Sequence, residues 1–339
     1  MNNVFIIAEA GVNHNGQLDL ALSLCDAAKN AGVDAIKFQT FKTEKIILRD
    51  TAKATYQSSN TNFIESQFDM IKALELSFDQ FDRIKQYCQK LDLLFLSTPD
   101  DEESLDFLVS MGIPVVKIGS GEITNIPFLR AIARKKMKVI LSTGMATLGE
   151  IESAIYELEK GGAKEISLLH CTTNYPCPMN EVNLAAMITL KNAFQKKVGY
   201  SDHTLGVEVS VAAVALGAEI IEKHFTLDTS LEGPDHSASL DPEQLNFLVK
   251  SIRNIEQAIG DGKKKPNLSE MKITQSVRRS LVASQIITKG CRLSESNLTA
   301  KRAGGKGLSP TFLDTIVGSV AKKDILEDEI ILLSGLSFK

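Results

Sequence analysis

The chain has 339 residues, enough for one large domain and a small one. Its 43% hydrophobic and 24% charged content is that of an ordinary globular protein. A net charge of -4 gives no reason to expect a nucleic-acid partner, and an anionic substrate would need a local basic pocket.

The N-terminal run MNNVFIIAEAG enters a strand at once, without the basic start of a signal peptide. No apolar run approaches the length of a membrane span. The five cysteines are scattered and odd in number, which predicts reduced thiols and a cytoplasmic protein.

The first 260 residues repeat one unit. A helix ends near a glycine, a short apolar strand follows, and polar residues close the strand. The junction recurs as AGVDAIKF, MGIPVVKI, GGAKEISLL and LGAEIIEK. Glycine suits the left-handed residue that follows many helices. Strands are predicted at 4–8, 35–38, 93–96, 115–118, 139–141, 166–169, 198–200 and 218–221. Their continuous apolar character fits parallel strands covered on both faces. Between them lie amphipathic helices. One carries Leu18, Ala21, Leu22, Cys25 and Ala28 on one face. Another begins at Asp241-Pro242-Glu243 and carries Leu245, Leu248, Ile252 and Ile255. Eight such units predict an α/β fold, a (β/α)8 TIM barrel. A doubly wound open sheet is the alternative, but no GxGxxG follows the first strand.

The polar segment 42–74, with TYQSSNTNFIESQ, is long enough to cover a barrel mouth as a lid or wall. After Gly260 the run DGKKKP breaks the pattern. The predicted organisation is a barrel over 1–262, a linker over 263–279 and a small β-rich module over 280–339.

In a barrel of this kind the active site forms at the C-terminal strand ends. Those ends supply Glu9, Lys37 and Gln39, Ser97 and Thr98, Lys117, Ser120 and Glu122, and Ser142. His170, Ser201, His203, Glu222 and His224 complete the series. All five histidines follow a predicted strand end or lie in the loop beyond it. His203 in YSDHTLG and His224 in IIEKHFTLD would leave neighbouring strands at the same end. Two imidazoles so placed can hold a divalent metal with positions left open for substrate. Lys37 and Lys117, with nearby hydroxyls, would form a cradle for a compound carrying carboxylate and phosphate. A Schiff-base lysine is the alternative role. Glu9 and Glu122 are candidate proton-transfer groups, or groups that hold a lysine in place.

At these residues the chain resembles the sialic acid synthase family, phosphoenolpyruvate-condensing enzymes that make nine-carbon sugar acids. The matching stretches include IIAEAGVNHNG, IKFQTF, FLSTP, KIGSGEITN, ILSTGM, LLHCTTNYP, GYSDHTLG, VALGAEIIEKHFTLD and GPDHSASL. The C-terminal module resembles the antifreeze-like (SAF) domain of these enzymes. The resemblance implies a divalent ion, commonly Mn2+ with Mg2+ or Co2+ as alternatives, on His203 and His224. It implies phosphoenolpyruvate held by Lys37, Thr98, Lys117, Ser120, Ser142 and Ser201. The N-acyl amino sugar would meet Glu9, Gln39, Tyr175 and Asp235. It also implies a domain-swapped homodimer in which Arg302, in KGCRLSESNLTAKR, reaches the partner's site. One departure stands out: Thr173 and then Asn174 follow LLHCT, where some members carry asparagine sooner. The product expected is a nonulosonic acid, legionaminate in preference to N-acetylneuraminate. The alternative is another barrel enzyme that condenses phosphoenolpyruvate with a phosphosugar, or an aldolase.

Overall fold

A computed structural model describes residues 3–53 and 66–338. The centre of the expected lid, residues 54–65, lies outside the described residues. Two compact units are present, residues 1–260 and 261–339.

The first unit holds eight parallel strands: β1 (Phe5–Gly11), β2 (Ala35–Thr40), β3 (Leu94–Pro99), β4 (Val115–Ile118), β5 (Lys138–Ser142), β6 (Glu165–His170), β7 (Lys197–Asp202) and β8 (Ile220–His224). Their order is β3-β2-β1-β8-β7-β6-β5-β4. β3 and β4 lie side by side, so the ring closes there without a shared ladder among the described residues. Each of the eight predicted strands is present, and the closed order excludes the open doubly wound sheet.

Side chains alternate inward and outward along each strand. Outward residues pack on the surrounding helices and build the large core, including Ile6, Ile36, Phe38, Leu141 and Ile221. Helix Leu18–Ala31 buries Ala21, Leu24, Cys25 and Ala28 there, and helix Pro242–Ile259 buries Leu245, Leu248 and Ile252. Serine, threonine or aspartate caps start several of the helices, with reciprocal boxes at Ser77–Gln80, Thr147–Glu150 and Asp241–Gln244. Inward residues form a smaller apolar layer of Ile7, Ala35, Leu96, Ile140, Leu169 and Ile220. That layer plugs the barrel. Two residues further along the same strands, the inward positions become polar.

Residues 263–279, expected as a linker, include helix Leu268–Val277, capped by Asn267 and without a buried residue. The second unit pairs β9 (Arg279–Ala283) with β10 (Leu298–Arg302) and β11 (Val320–Ala321) with β12 (Leu336–Ser337), all antiparallel. Its separate core includes Leu281, Ile287, Leu293, Ile316, Ile325 and Ile331.

Candidate active site

The polar layer above the apolar plug is the start of a well at the C-terminal strand ends. Its position follows from strand parity. Ile7 gives way to Glu9 on β1, Ala35 to Lys37 on β2, Leu96 to Thr98 on β3, and Val115 to Lys117 on β4. Ile140 gives way to Ser142 on β5, and Ile220 to Glu222 on β8. Register then brings the partners level, with Glu9 opposite Lys37 and Ser201 opposite Glu222. At Gly11, where φ is +52°, the β1–β2 register shifts, and an added Cβ would stand 3.2 Å from Glu9 Oε1. A side chain there would strain the backbone and crowd that carboxylate.

Four buried charged groups form the floor. Lys37 Nζ lies 2.6 Å from Glu9 Oε2 and 3.8 Å from Glu222 Oε2. Lys117 Nζ lies 3.2 Å from Glu222 Oε1. Lys37 also donates to Thr98 Oγ1 at 3.0 Å, Lys117 to Ser142 Oγ at 2.8 Å, and Ser201 Oγ to Glu222 Oε1 at 3.1 Å. The cradle is therefore not purely cationic, because each ammonium already has a carboxylate beside it. The two carboxylates titrate apart. Burial pushes Glu9 up to about 7, with the Glu222 charge adding to the rise and Lys37 opposing it. Burial also works against ionised Glu222, yet Lys117 and Lys37 hold its pKa down at about 2. The result is one carboxyl able to exchange a proton near neutrality beside one that stays charged.

Above the floor, the His203 and His224 rings stand with centroids 5.5 Å apart, and Tyr175 packs 4.2 Å from His203. His203 Nδ1 lies 2.7 Å from the Thr172 carbonyl oxygen. Only an N–H can face a carbonyl, so the lone pair is on Nε2. His224 Nδ1 is buried without a hydrogen-bond partner, and its 3.9 Å approach to Asp235 Oδ2 is too long to supply one. Burial pushes His203 down to about 4 and His224 well below the usual imidazole value. The His203 Nε2 lone pair has only Ser201 Oγ near it, at 3.4 Å, and His224 Nδ1 has no partner; neutral rings with nitrogens so placed are what a divalent cation requires, so the pair fits a metal. Among the described residues no set of three His, Cys, Asp or Glu side chains gathers as a metal site.

Ser120 completes another wall. Its Oγ accepts from the Gly144 N–H at 2.9 Å and lies 3.2 Å from Cys171 Sγ. Gly144 is required by proximity: an added Cβ would meet Thr173 Oγ1 at 2.3 Å and Ser120 Oγ at 2.9 Å. The well encloses about 190 Å³, and its lining includes Thr173 but not Asn174.

Most of the sequence-predicted residues converge here: Glu9, Lys37, Gln39, Thr98, Lys117, Ser120, Ser142, Tyr175, Ser201, His203 and His224 all line the well. Asp235 lines an adjoining cavity, and burial pushes its pKa up to about 6. Glu122 stands apart. It is half-buried on the turn Ser120–Glu122, where its carboxylate accepts from Asn125 Nδ2 at 2.6 Å. Arg302 is exposed on β10 of the second unit. Three of the five histidines have other tasks. His170 Nε2 donates to the Val182 carbonyl, His236 bonds Thr226 and Asn15, and His14 Nδ1 accepts from the Gly16 N–H. A position at or beyond a strand end thus did not by itself turn them into the well.

Glu222 reads from the sequence only as a strand-end residue without a role, and Asp100 is not singled out. Parity was the available signal: Glu222 lies two residues after inward Ile220 and two before His224, and Asp100 two residues after Thr98. Asp100 lines the well, with its pKa pushed up to about 7 by burial and the Glu122 charge.

The NeuB family matches residues 24–264 and the SAF domain residues 278–337. The N,N'-diacetyllegionaminic acid synthase of Campylobacter jejuni is 52% identical over 98% of this chain and 99% of that protein. The enzyme of the same name from Legionella pneumophila is 48% identical over 93% of this chain and 89% of that one. Among solved structures, the N-acetylneuraminic acid synthetase of Leptospira borgpetersenii in complex with citrate aligns with a TM-score of 0.70. It is 39% identical over 81% of this chain and 93% of that one. With the barrel, the well and these relatives in agreement, this chain belongs to the NeuB family of sialic and legionaminic acid synthases and ends in a SAF domain.

Proposed function

We propose that the chain condenses phosphoenolpyruvate with open-chain 2,4-diacetamido-2,4,6-trideoxymannose, giving N,N'-diacetyllegionaminate and inorganic phosphate. The observation that carries this reading is the buried Lys37–Glu9–Glu222–Lys117 cluster beneath the His203–His224 pair. The acceptor follows from the two relatives that bear the legionaminic acid name.

C3 of phosphoenolpyruvate attacks the aldehyde carbon and forms the new C–C bond. Water adds at C2, and the C2–O bond to phosphate breaks with the electron pair leaving on phosphate. Lys37, Lys117, Thr98, Ser120, Ser142 and Ser201 hold the carboxylate and phosphate of the donor. Binding the anion shifts the two ammonium groups' partnership from Glu9 and Glu222 toward substrate oxygens. Glu9, the floor carboxyl with a pKa near neutrality, moves the proton that the alkoxide gains or the added water loses. Glu222 stays ionised between the two lysines. A divalent cation on His203 and His224, Mn2+ with Mg2+ or Co2+ as alternatives, supplies polarisation of the aldehyde oxygen when bound. Gln39, Tyr175 and Asp235 orient the sugar. The well also brings two reactants together and excludes water, which is a large part of the acceleration in such condensations. As the family resemblance implies, the working form is a homodimer in which Arg302 of a second copy contacts the sugar.

The test is phosphate release across a panel of acceptors: the diacetamido sugar, N-acetylmannosamine and its 6-phosphate, arabinose 5-phosphate and erythrose 4-phosphate. Release with the diacetamido sugar, lost with chelator, is expected. Donor labelled with 18O at the bridging oxygen should deliver the label to phosphate. Turnover confined to a phosphosugar, or label kept in the sugar acid, overturns the reading. Independently of turnover, Mn2+ should raise the melting temperature of the wild type and not of His203→Ala/His224→Ala.

A further inference from the structure

An apolar annex opens off the well. It encloses about 180 Å³ and shares Gln39, Asp100, Tyr175 and His224 with the well itself. Its walls are Val12, Phe41, Ile46, Met70, Ile71 and Leu74. Val12, Phe41 and Leu74 form a small buried cluster with Ile46 and Ile71 against it, separate from the barrel cores. The walls are built rather than incidental. Glu75 accepts from the Thr43 N–H and hydroxyl and from Lys42 and Lys72, which ties helix Gln67–Leu74 to helix Thr43–Ile46. Asp100 sits where well and annex meet, and its carboxylate accepts no hydrogen bond from a described residue.

We infer that this annex receives the methyl groups of a 4-acetamido-6-deoxy sugar and that Asp100 accepts the hydrogen bond of its 4-amide N–H. The inference rests on the condensation reading and deepens it by naming what selects the acceptor. The well alone is smaller than the roughly 300–1,000 Å³ of an ordinary ligand pocket, so two reactants need the annex. An acetyl methyl and a C6 methyl lose water favourably against six apolar side chains. N-acetylmannosamine has hydroxyls at C4 and C6 instead, and a C6 hydroxyl set against the annex's apolar side chains loses water unfavourably where a methyl gains. A 6-phosphate would also bring its charge toward Asp100 and Asp235, which both line the annex.

The experiment compares kcat/KM for 2,4-diacetamido-2,4,6-trideoxymannose and N-acetylmannosamine in the full-length, metal-loaded protein. Ile71→Thr and Asp100→Ala should each lower the ratio of the two by roughly tenfold, the scale of one mismatched group in an apolar pocket. For Ile71→Thr, on the annex wall away from the anion contacts, the KM for phosphoenolpyruvate should stay within about twofold of wild type. Ile46→Thr, on the opposite helix, repeats the measurement if Ile71→Thr folds poorly. Calorimetric binding of each sugar alone should rank the variants the same way. An unchanged ratio in both Ile→Thr variants and Asp100→Ala, or a loss in the Ile→Thr variants matched by a rising KM for phosphoenolpyruvate, overturns the inference and leaves the condensation standing. A wild type that releases no phosphate with either sugar removes the condensation reading itself.

Discussion

The most demanding test of this architecture lies just behind the histidines. Lys223 and Asp202 point outward from β8 and β7, are fully buried, and meet at 3.0 Å. Asp202 also accepts from the Thr204 N–H at 2.9 Å, the Thr204 hydroxyl at 2.7 Å and the Ser210 hydroxyl at 2.6 Å. His203 and His224 are the next residues along the chain. Replacing Lys223 by Met keeps the side-chain volume and deletes the cation, so Asp202 becomes an unpaired buried charge. Breaking a buried pair from one side costs about 3–5 kcal/mol. Three remaining hydrogen bonds to Asp202 favour the low end, about 3 kcal/mol, which is a large part of the roughly 5–15 kcal/mol available to a folded domain. At roughly 2–4 °C per kcal/mol for a unit of this size, the melting temperature should fall by about 6–12 °C. Urea unfolding followed by far-UV circular dichroism measures the loss directly. Adding Asp202→Asn to Lys223→Met removes the stranded charge and should recover more than about 1 kcal/mol. If Lys223→Met costs less than about 1 kcal/mol, or Asp202→Asn in that background destabilises further, the pair is not organising the ends of β7 and β8.

Glu75 supplies a pH dependence. Burial raises its pKa, but the Thr43 N–H and hydroxyl, Lys72 and Lys42 overcome this and bring it down to about 2. A carboxylate with a depressed folded-state pKa contributes stability above its unfolded value, near 4.5, and loses it as pH falls from there toward 2. Amide exchange in helices Thr43–Ile46 and Gln67–Leu74 should therefore accelerate across that window in wild type and much less in Glu75→Gln. Gly144→Ala forces a methyl against Thr173 and Ser120; it should raise the KM for phosphoenolpyruvate at least about tenfold, with a stability loss of about 1–3 kcal/mol. Arg302→Ala should leave the melting temperature unchanged and severely weaken use of the sugar; wild-type kinetics would exclude the second unit from the site.

The amino-acid sequence carried the barrel because each strand needs only local signals. An apolar run closed by a polar strand end recurs eight times, four of them after a helix that ends near a glycine, and a parallel sheet covered on both faces has few other ways to bury such runs. It also carried the composition of the well, since period-two alternation fixes that Lys37 follows Ala35 inward and Glu222 follows Ile220. What it could not carry was the pairing across strands. Lys37 and Lys117 read as two positive charges until register set Glu9 and Glu222 beside them, and the separation of those carboxylate pKa values depends on burial and distance alone. Glu122 shows the limit in the other direction: it ends a strand-loop junction as Glu9 does, yet the turn at Ser120–Glu122 directs it to Asn125. The histidines divide in the same way, two into the well and three into hydrogen bonds away from it. Local chemistry chose the elements and the residue types. Only the closed ring, which brings residues hundreds of positions apart within hydrogen-bond reach, decided which charges meet and which nitrogens are left free to bind.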